Sequence, residues 1–149
     1  MDVDRIERLL TDIEESLNIA RSIVALGYGE FMRDVRNRYT LRMAIVEVVE
    51  AATSLGLILL RSAGVSRVES YAQVFRRLVE RGVLSPRVGG EMERLARLRN
   101  LIVHRYWEVD DSRIYREARG NGLRVIEEFL REVREYVSRA GGGREVQGT

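Results

Sequence analysis

The chain has 149 residues, 45% of them hydrophobic and 32% charged, with 25 basic and 23 acidic side chains and a net charge of +2. This length and balance predict a single globular domain without internal repeats, long enough to bury a core. With no cysteine and one histidine, the chain excludes disulfides, thiolate metal sites and any multi-histidine metal site within one protomer. All 25 basic residues are arginine. The acids interspersed among them predict solvated i,i+4 ion pairs rather than one basic face, so the missing lysine alone carries no functional reading. No apolar run approaches the ~20 residues that span a bilayer, and the opening Met1-Asp-Val-Asp-Arg-Ile-Glu7 is mixed in charge, unlike a signal peptide. The expectation is a cytoplasmic protein with no membrane association.

Residues 2–26 carry Ile6, Leu9, Leu10, Ile13, Leu17, Ala20, Ile23 and Val24 at helical spacing, with charges opposite. Gly27-Tyr-Gly29 punctuates this first helix, and residues 30–39 form a mixed connection that is open to being helical. A second helix, from about Leu41 to Leu60, is almost continuously apolar, which suits the centre of a bundle, a face packed on an identical chain, or both. Ala63-Gly64 ends it. Ser66-Arg-Val-Glu69 has the pattern of a capping box and predicts a third helix continuing to about Arg81, with Tyr71, Val74, Phe75, Leu78 and Val79 inward. Gly82 stops that helix. Ser85-Pro86, an N-cap followed by proline at the first helical position, starts a fourth with Met92, Leu95, Leu98 and Ile102 as its core stripe. Asp110 or Asp111 then caps a fifth helix through Ile114 and Tyr115, kinked or split at Gly120-Asn-Gly122 and resuming from Leu123 to Val137. The architecture expected is all-α: an antiparallel up-and-down bundle of about five helices over residues 1–138, with residues 139–149 as a flexible tail.

The end of the fourth helix concentrates the chemistry. It holds the only histidine and the only tryptophan, in the order Arg99-Asn100, His104, Tyr106, Trp107. Arg99 and Tyr106, seven residues apart, fall within about 20° of each other on a continuous helix, whereas His104 lies about 140° from Arg99 and pairs with Asn100 at i,i+4. One straight helix does not aim guanidinium and imidazole at one point. Three resolutions are open: the helix loosens after Val103, the site is a cleft seen from two sides, or a second copy completes it across a two-fold axis, the reading favoured here. A cation at a helix C-terminus also has an ordinary role, complementing the macrodipole.

These residues resemble the HEPN superfamily, and within it the HepT-like ribonuclease toxins of type VII toxin–antitoxin systems, whose signature is an arginine, four to six residues, a histidine, one residue and a tyrosine. Arg99, four residues, His104, Arg105 and Tyr106 fit it, and the similarity extends through residues 71–78, 82–86 and 109–115 to cover roughly residues 1–138. The resemblance implies a HEPN-like helical bundle. It also implies a metal-independent endoribonuclease acting as a homodimer on an RNA substrate, with Arg99 and His104 catalytic, Asn100 and Tyr106 supporting or RNA-binding, and neither cofactor nor metal. In such systems a partner minimal nucleotidyltransferase antitoxin attaches AMP to the tyrosine of the motif, here Tyr106. The alternative is a non-catalytic HEPN module that binds a nucleotide or a nucleotidyltransferase, although such a module has no need of an imidazole at that spacing. Asp110 and Asp111 read as capping residues ahead of a metal pair, Asn100 as a phosphate or imidazole ligand or a helix-end hydrogen bond, and Trp107 as a base-stacking ring or the rim of a core.

Overall fold

In a computed structural model, which describes the backbone of residues 1–148 and the side chains of residues 1–141, the chain is an antiparallel helical bundle with no strand among the described residues. Its elements are α1 (Val3–Val24), α2 (Tyr28–Arg33), α3 (Val35–Ser62), α4 (Tyr71–Glu80), α5 (Pro86–His104), α6 (Asp111–Glu117) and α7 (Leu123–Gly148). Most of the tail expected over residues 139–149 lies outside the described side chains. The bundle therefore has more pieces than the expected five. The connection after α1 is itself a one-and-a-half-turn helix, and the last element divides in two.

Local chemistry sets these boundaries. Asp2, Asp34, Ser70, Ser85 and Asp110 each accept a backbone N–H at the start of a helix, satisfying donors that the first turn leaves free. At Asp34 the Arg36 side chain and backbone N–H hold the carboxyl below its usual range. Both α3 and α4 end in a Schellman turn, with Gly64 at φ +83 and Gly82 at φ +75 supplying the left-handed residue. The following N–H groups reach back from Val65 to Leu60 (2.8 Å) and from Val83 to Leu78 (2.9 Å). The capping box of α4 lies four residues beyond the one expected at Ser66. Ser70 Oγ accepts from Gln73 N at 3.1 Å, and Gln73 Oε1 accepts from Glu69 N at 2.6 Å. Ser66 is left in the loop because the reciprocal partner is a glutamine three residues after Ser70, not the glutamate at 69.

α3 is the axis. Leu41, Ile45, Val48, Val49, Ala52, Leu55, Leu59 and Leu60 are buried along it, and α1, α2, α4 and α5 all pack on it. It is longer than expected and amends the sequence reading on apolar runs: its best 18-residue window reaches a mean hydropathy of 2.0, long and apolar enough to cross a membrane, with 61% of that window buried within the protein. At Gly56 an added Cβ would come within 2.5 Å of Val74 Cγ1, so α4 approaches α3 more closely than any larger residue permits. Phe75 from α4 meets Phe129 from α7 edge-on at 6.1 Å. Cross-helix pairs follow the antiparallel order: Arg134 with Glu14 and Arg21 with Glu127 join α1 to α7, and Arg87 with Glu128 joins α5 to α7. Many arginines thus tie different helices together rather than pairing within one helix, since a guanidinium reaches across the 8–10 Å that separates packed helices.

On α5 the expected stripe faces the core. Met92 is buried, together with Val88, Gly89 and Ala96, and Leu95, Leu98 and Ile102 are half-buried and pack against the core from its edge. After α6 the chain passes through a wide turn, Ala118–Gly122, in which Gly120 departs from helical dihedrals (φ −77, ψ −105) before α7 begins. This is the interruption expected at Gly120-Asn-Gly122.

Candidate functional site

α5 stays helical through Val103 and His104. Arg99 and His104 therefore remain about 140° apart around one cylinder, and a loosened helix does not bring them together. The helix breaks one residue later. Arg105 takes φ −138, ψ 48, and Tyr106-Trp-Glu108 form one tight 3-10 turn. Tyr106 consequently does not share the azimuth of Arg99, contrary to the expectation for a continuous helix. The break has a physical cause further along: Asp111 is gripped by Arg42 of α3 in two hydrogen bonds of 2.7 and 2.6 Å, with Arg38 at 3.6 Å. The chain must turn across the end of α5 to reach that anchor.

Arg99 is closely held, its side chain 15% exposed. Its Nε donates to Glu50 Oε1 at 2.7 Å and its Nη2 lies 2.6 Å from the same oxygen. Nη1 donates to Asn100 Oδ1 at 3.0 Å, and the guanidinium carbon stands 4.5 Å from the centre of the Tyr71 ring. Tyr71 in turn donates its hydroxyl to Glu50 Oε2 at 2.9 Å. Burial first, and then this hydrogen bond, push the Tyr71 phenol above its ordinary value of 10.0, with the Arg99 charge pulling the other way. Asn100 thus spends its carbonyl oxygen on Arg99 rather than on His104. Glu50 and its pairing with Tyr71 were missed in the sequence reading, although Glu50 was visible as an acid set between Val48-Val49 and Ala51-Ala52 in an apolar run.

The other half of the motif faces outward. His104, Tyr106 and Trp107 are exposed, the last two at 63% and 68%, and the two aromatic rings meet edge-on at 5.3 Å. Trp107 is therefore not the rim of a core. The Glu50–Arg99 pair between α3 and α5, and the Arg42–Asp111 pair between α3 and α6, place the exposed Tyr39 and Met43 at the same end of the bundle as Val103. Asp110 caps α6 and Asp111 is ion-paired, so both adjacent carboxylates have structural work. Among the described residues no three metal-ligating side chains converge. A cavity of about 660 Å³ opens elsewhere, between α5, α6 and the start of α7, lined by Leu95, Leu98, Leu101, Ile114 and Ile126. Neither Arg99 nor His104 lines it.

The sequence family described as ribonuclease HepT-like matches residues 13–133. No curated protein matches the chain by sequence. Among solved structures, the chain is similar to a tri-AMPylated HEPN toxin from Shewanella oneidensis in complex with its MNT antitoxin (TM-score 0.82, 17% identity, 91% of this chain and 99% of that one). It is also similar to YutE, a cytosolic protein of unknown function from Bacillus subtilis (0.79, 18%, 94% and 93%). A third likeness is to a toxin–antitoxin structure with AMP-PNP (0.80, 16%, 89% and 98%). At these identities the three likenesses concern the fold.

Proposed function

The chain belongs to the HepT-like ribonuclease family, and from that premise we propose that it is a metal-independent endoribonuclease, the toxin of a toxin–antitoxin pair, cutting RNA in a cleft shared by two copies of the chain. The observation that carries this reading is the division of the motif: a guanidinium held rigidly on one side of α5, and an exposed imidazole about 140° away. Within one protomer the two do not face a common phosphate. Across a two-fold axis, two imidazoles and two guanidinium groups can converge.

The chemistry then needs no metal. One His104 takes the proton of a ribose 2′-hydroxyl as its oxygen attacks the adjacent phosphorus, and the other gives a proton to the departing 5′-oxygen. Arg99 stabilises the charge that gathers on the phosphoryl oxygens. The P–O5′ bond breaks as the P–O2′ bond forms, leaving a 2′,3′-cyclic phosphate and a free 5′-hydroxyl. Tyr106, well exposed beside His104, is accessible for control. Its hydroxyl attacks the α-phosphorus of ATP on a partner nucleotidyltransferase, pyrophosphate leaves, and the attached AMP sets bulk and negative charge against the cleft. That the similar HEPN toxin is tri-AMPylated and bound to an MNT antitoxin supports this reading.

Light scattering tests the shared cleft: twice 17.1 kDa at micromolar concentration is expected. A monomer that cleaves RNA removes the two-imidazole mechanism and leaves the ribonuclease reading in place. Co-expression with a cognate nucleotidyltransferase tests the control. AMP is expected on Tyr106 with loss of cleavage, and a Tyr106→Phe chain that is still fully silenced contradicts covalent control at this residue.

A further inference from the structure

Arginine offers five N–H donors in a planar fork. In Arg99 the edge formed by Nε and Nη2 faces Glu50 Oε1, and one donor of Nη1 goes to Asn100 Oδ1. Each terminal nitrogen therefore keeps an N–H uncommitted among the described residues. The Tyr71 ring covers one face of the guanidinium plane at 4.5 Å, and Tyr71 also holds the second oxygen of Glu50 at 2.9 Å. Three helices meet here: Glu50 comes from α3, Tyr71 from α4 and Arg99 from α5. A flexible arginine at a helix end would have to be ordered each time a phosphate arrived, and that ordering costs free energy at the moment of reaction. This one is already ordered, with an N–H still free on each terminal nitrogen.

We propose that Glu50 and Tyr71 are positioning residues for Arg99: the carboxylate grips one edge of the guanidinium and the phenol braces both partners, so that the remaining N–H donors are presented in fixed orientation to a phosphodiester. The proposal rests on the ribonuclease reading above and adds to it two residues outside the motif. Glu50 lowers the net charge of the cluster, so its function is orientation rather than attraction. Its loss is expected to weaken the chemical step more than the binding of RNA.

The test is a double-substitution cycle on the full chain with a short RNA. Glu50→Gln keeps the shape and removes the charge. It is expected to lower kcat roughly 10- to 100-fold with little change in KM, while Glu50→Asp recovers part of the loss and Tyr71→Phe causes a smaller one. The decisive readout is Glu50→Gln combined with Arg99→Ala, which is expected to be no slower than Arg99→Ala alone, since residues that act as one unit are not additive. Full activity in Glu50→Gln, or a further loss of similar size on top of Arg99→Ala, overturns the proposal. Should the unmodified chain cleave no RNA, the ribonuclease reading fails and the clamp is decided separately, by the Arg99 Nε–H resonance during titration with a 2′-O-methyl oligonucleotide. A distinct, rigid signal that shifts with the oligonucleotide and is lost in Glu50→Gln sustains the positioning role. A signal averaged with the surface arginines, or unmoved by Glu50→Gln, overturns it.

Discussion

Arg99 and Trp107 sit eight positions apart in one short stretch, yet the first has a 15% exposed side chain whose charge is met by Glu50, Asn100 and Tyr71, while the second is 68% exposed beside a similarly open Tyr106. The contrast separates what one chain completes by itself from what it leaves for something else. The cationic half is held in place from within: its partners come from three helices of the same protomer, and a half-buried charge is tolerated because it is paired and hydrogen-bonded. The imidazole and aromatic half is unfinished. Exposed rings and a histidine clustered at one end of a bundle form a surface that RNA, a second copy or a modifying partner can cover.

The comparison can be broken at several points. In the clamped half the largest effect is expected from Arg99→Ala, which removes the proposed oxyanion donor and leaves Glu50 without its cation. RNA cleavage should fall on the order of 10²–10³-fold, about 2.7–4 kcal/mol of barrier, as measured by single-turnover kinetics. Unchanged turnover would show that the clamped half has no part in the chemistry. Next comes Asp111→Ala. It strands the half-buried Arg42 and releases the turn that carries Tyr106 and Trp107, and thermal or urea unfolding should register a loss of about 2 kcal/mol, the scale of a hydrogen bond to a charged group. A neutral result would mean the turn is held by something else.

The remaining effects are smaller. Because the Tyr71 phenol is pushed above 10.0 in the folded chain, the unfolded chain loses that proton first. The stability it contributes is full below pH 10 and is lost as pH rises through the folded value. Melting curves of the unmodified chain and Tyr71→Phe should therefore keep a constant separation up to about pH 9 and converge above about pH 10. A separation that is independent of pH contradicts the protonated Tyr71–Glu50 contact. Trp107→Ala should shift stability of the isolated protomer by less than about 0.5 kcal/mol, since the ring packs on little besides Tyr106. A large loss would place Trp107 in an interface that the protein needs in order to fold.

The bundle was readable in the sequence to the extent that its signals were local. The stripe of α1, the Ser85-Pro86 start of α5, the stops at Gly64 and Gly82 and the break at Gly120 all follow from periodicity and backbone chemistry carried by neighbouring residues. What escaped depended on distant partners. The end of α5 at His104 is set by Asp111 reaching Arg42, a pairing across 69 positions, so a helix drawn on to Tyr106 put that ring on the wrong azimuth. The ion pair from Glu50 to Arg99 spans 49 positions. No spacing rule along the chain announces it, although an acid in an apolar stretch of helix, as at Glu47 and Glu50, signals that a partner exists. The motif residues themselves were legible, but their division between a clamped and an open half needed the fold.

The most direct test of the account is to incubate the purified chain with single-stranded RNA in EDTA, alongside His104→Ala checked for intact helicity by circular dichroism. The prediction is cleavage by the unmodified chain with 2′,3′-cyclic phosphate and 5′-hydroxyl ends, and a rate lower by roughly 10²–10⁴-fold in the variant, the usual worth of a positioned acid–base group. Cleavage that appears only when a divalent ion is supplied, or that survives in His104→Ala, would contradict it.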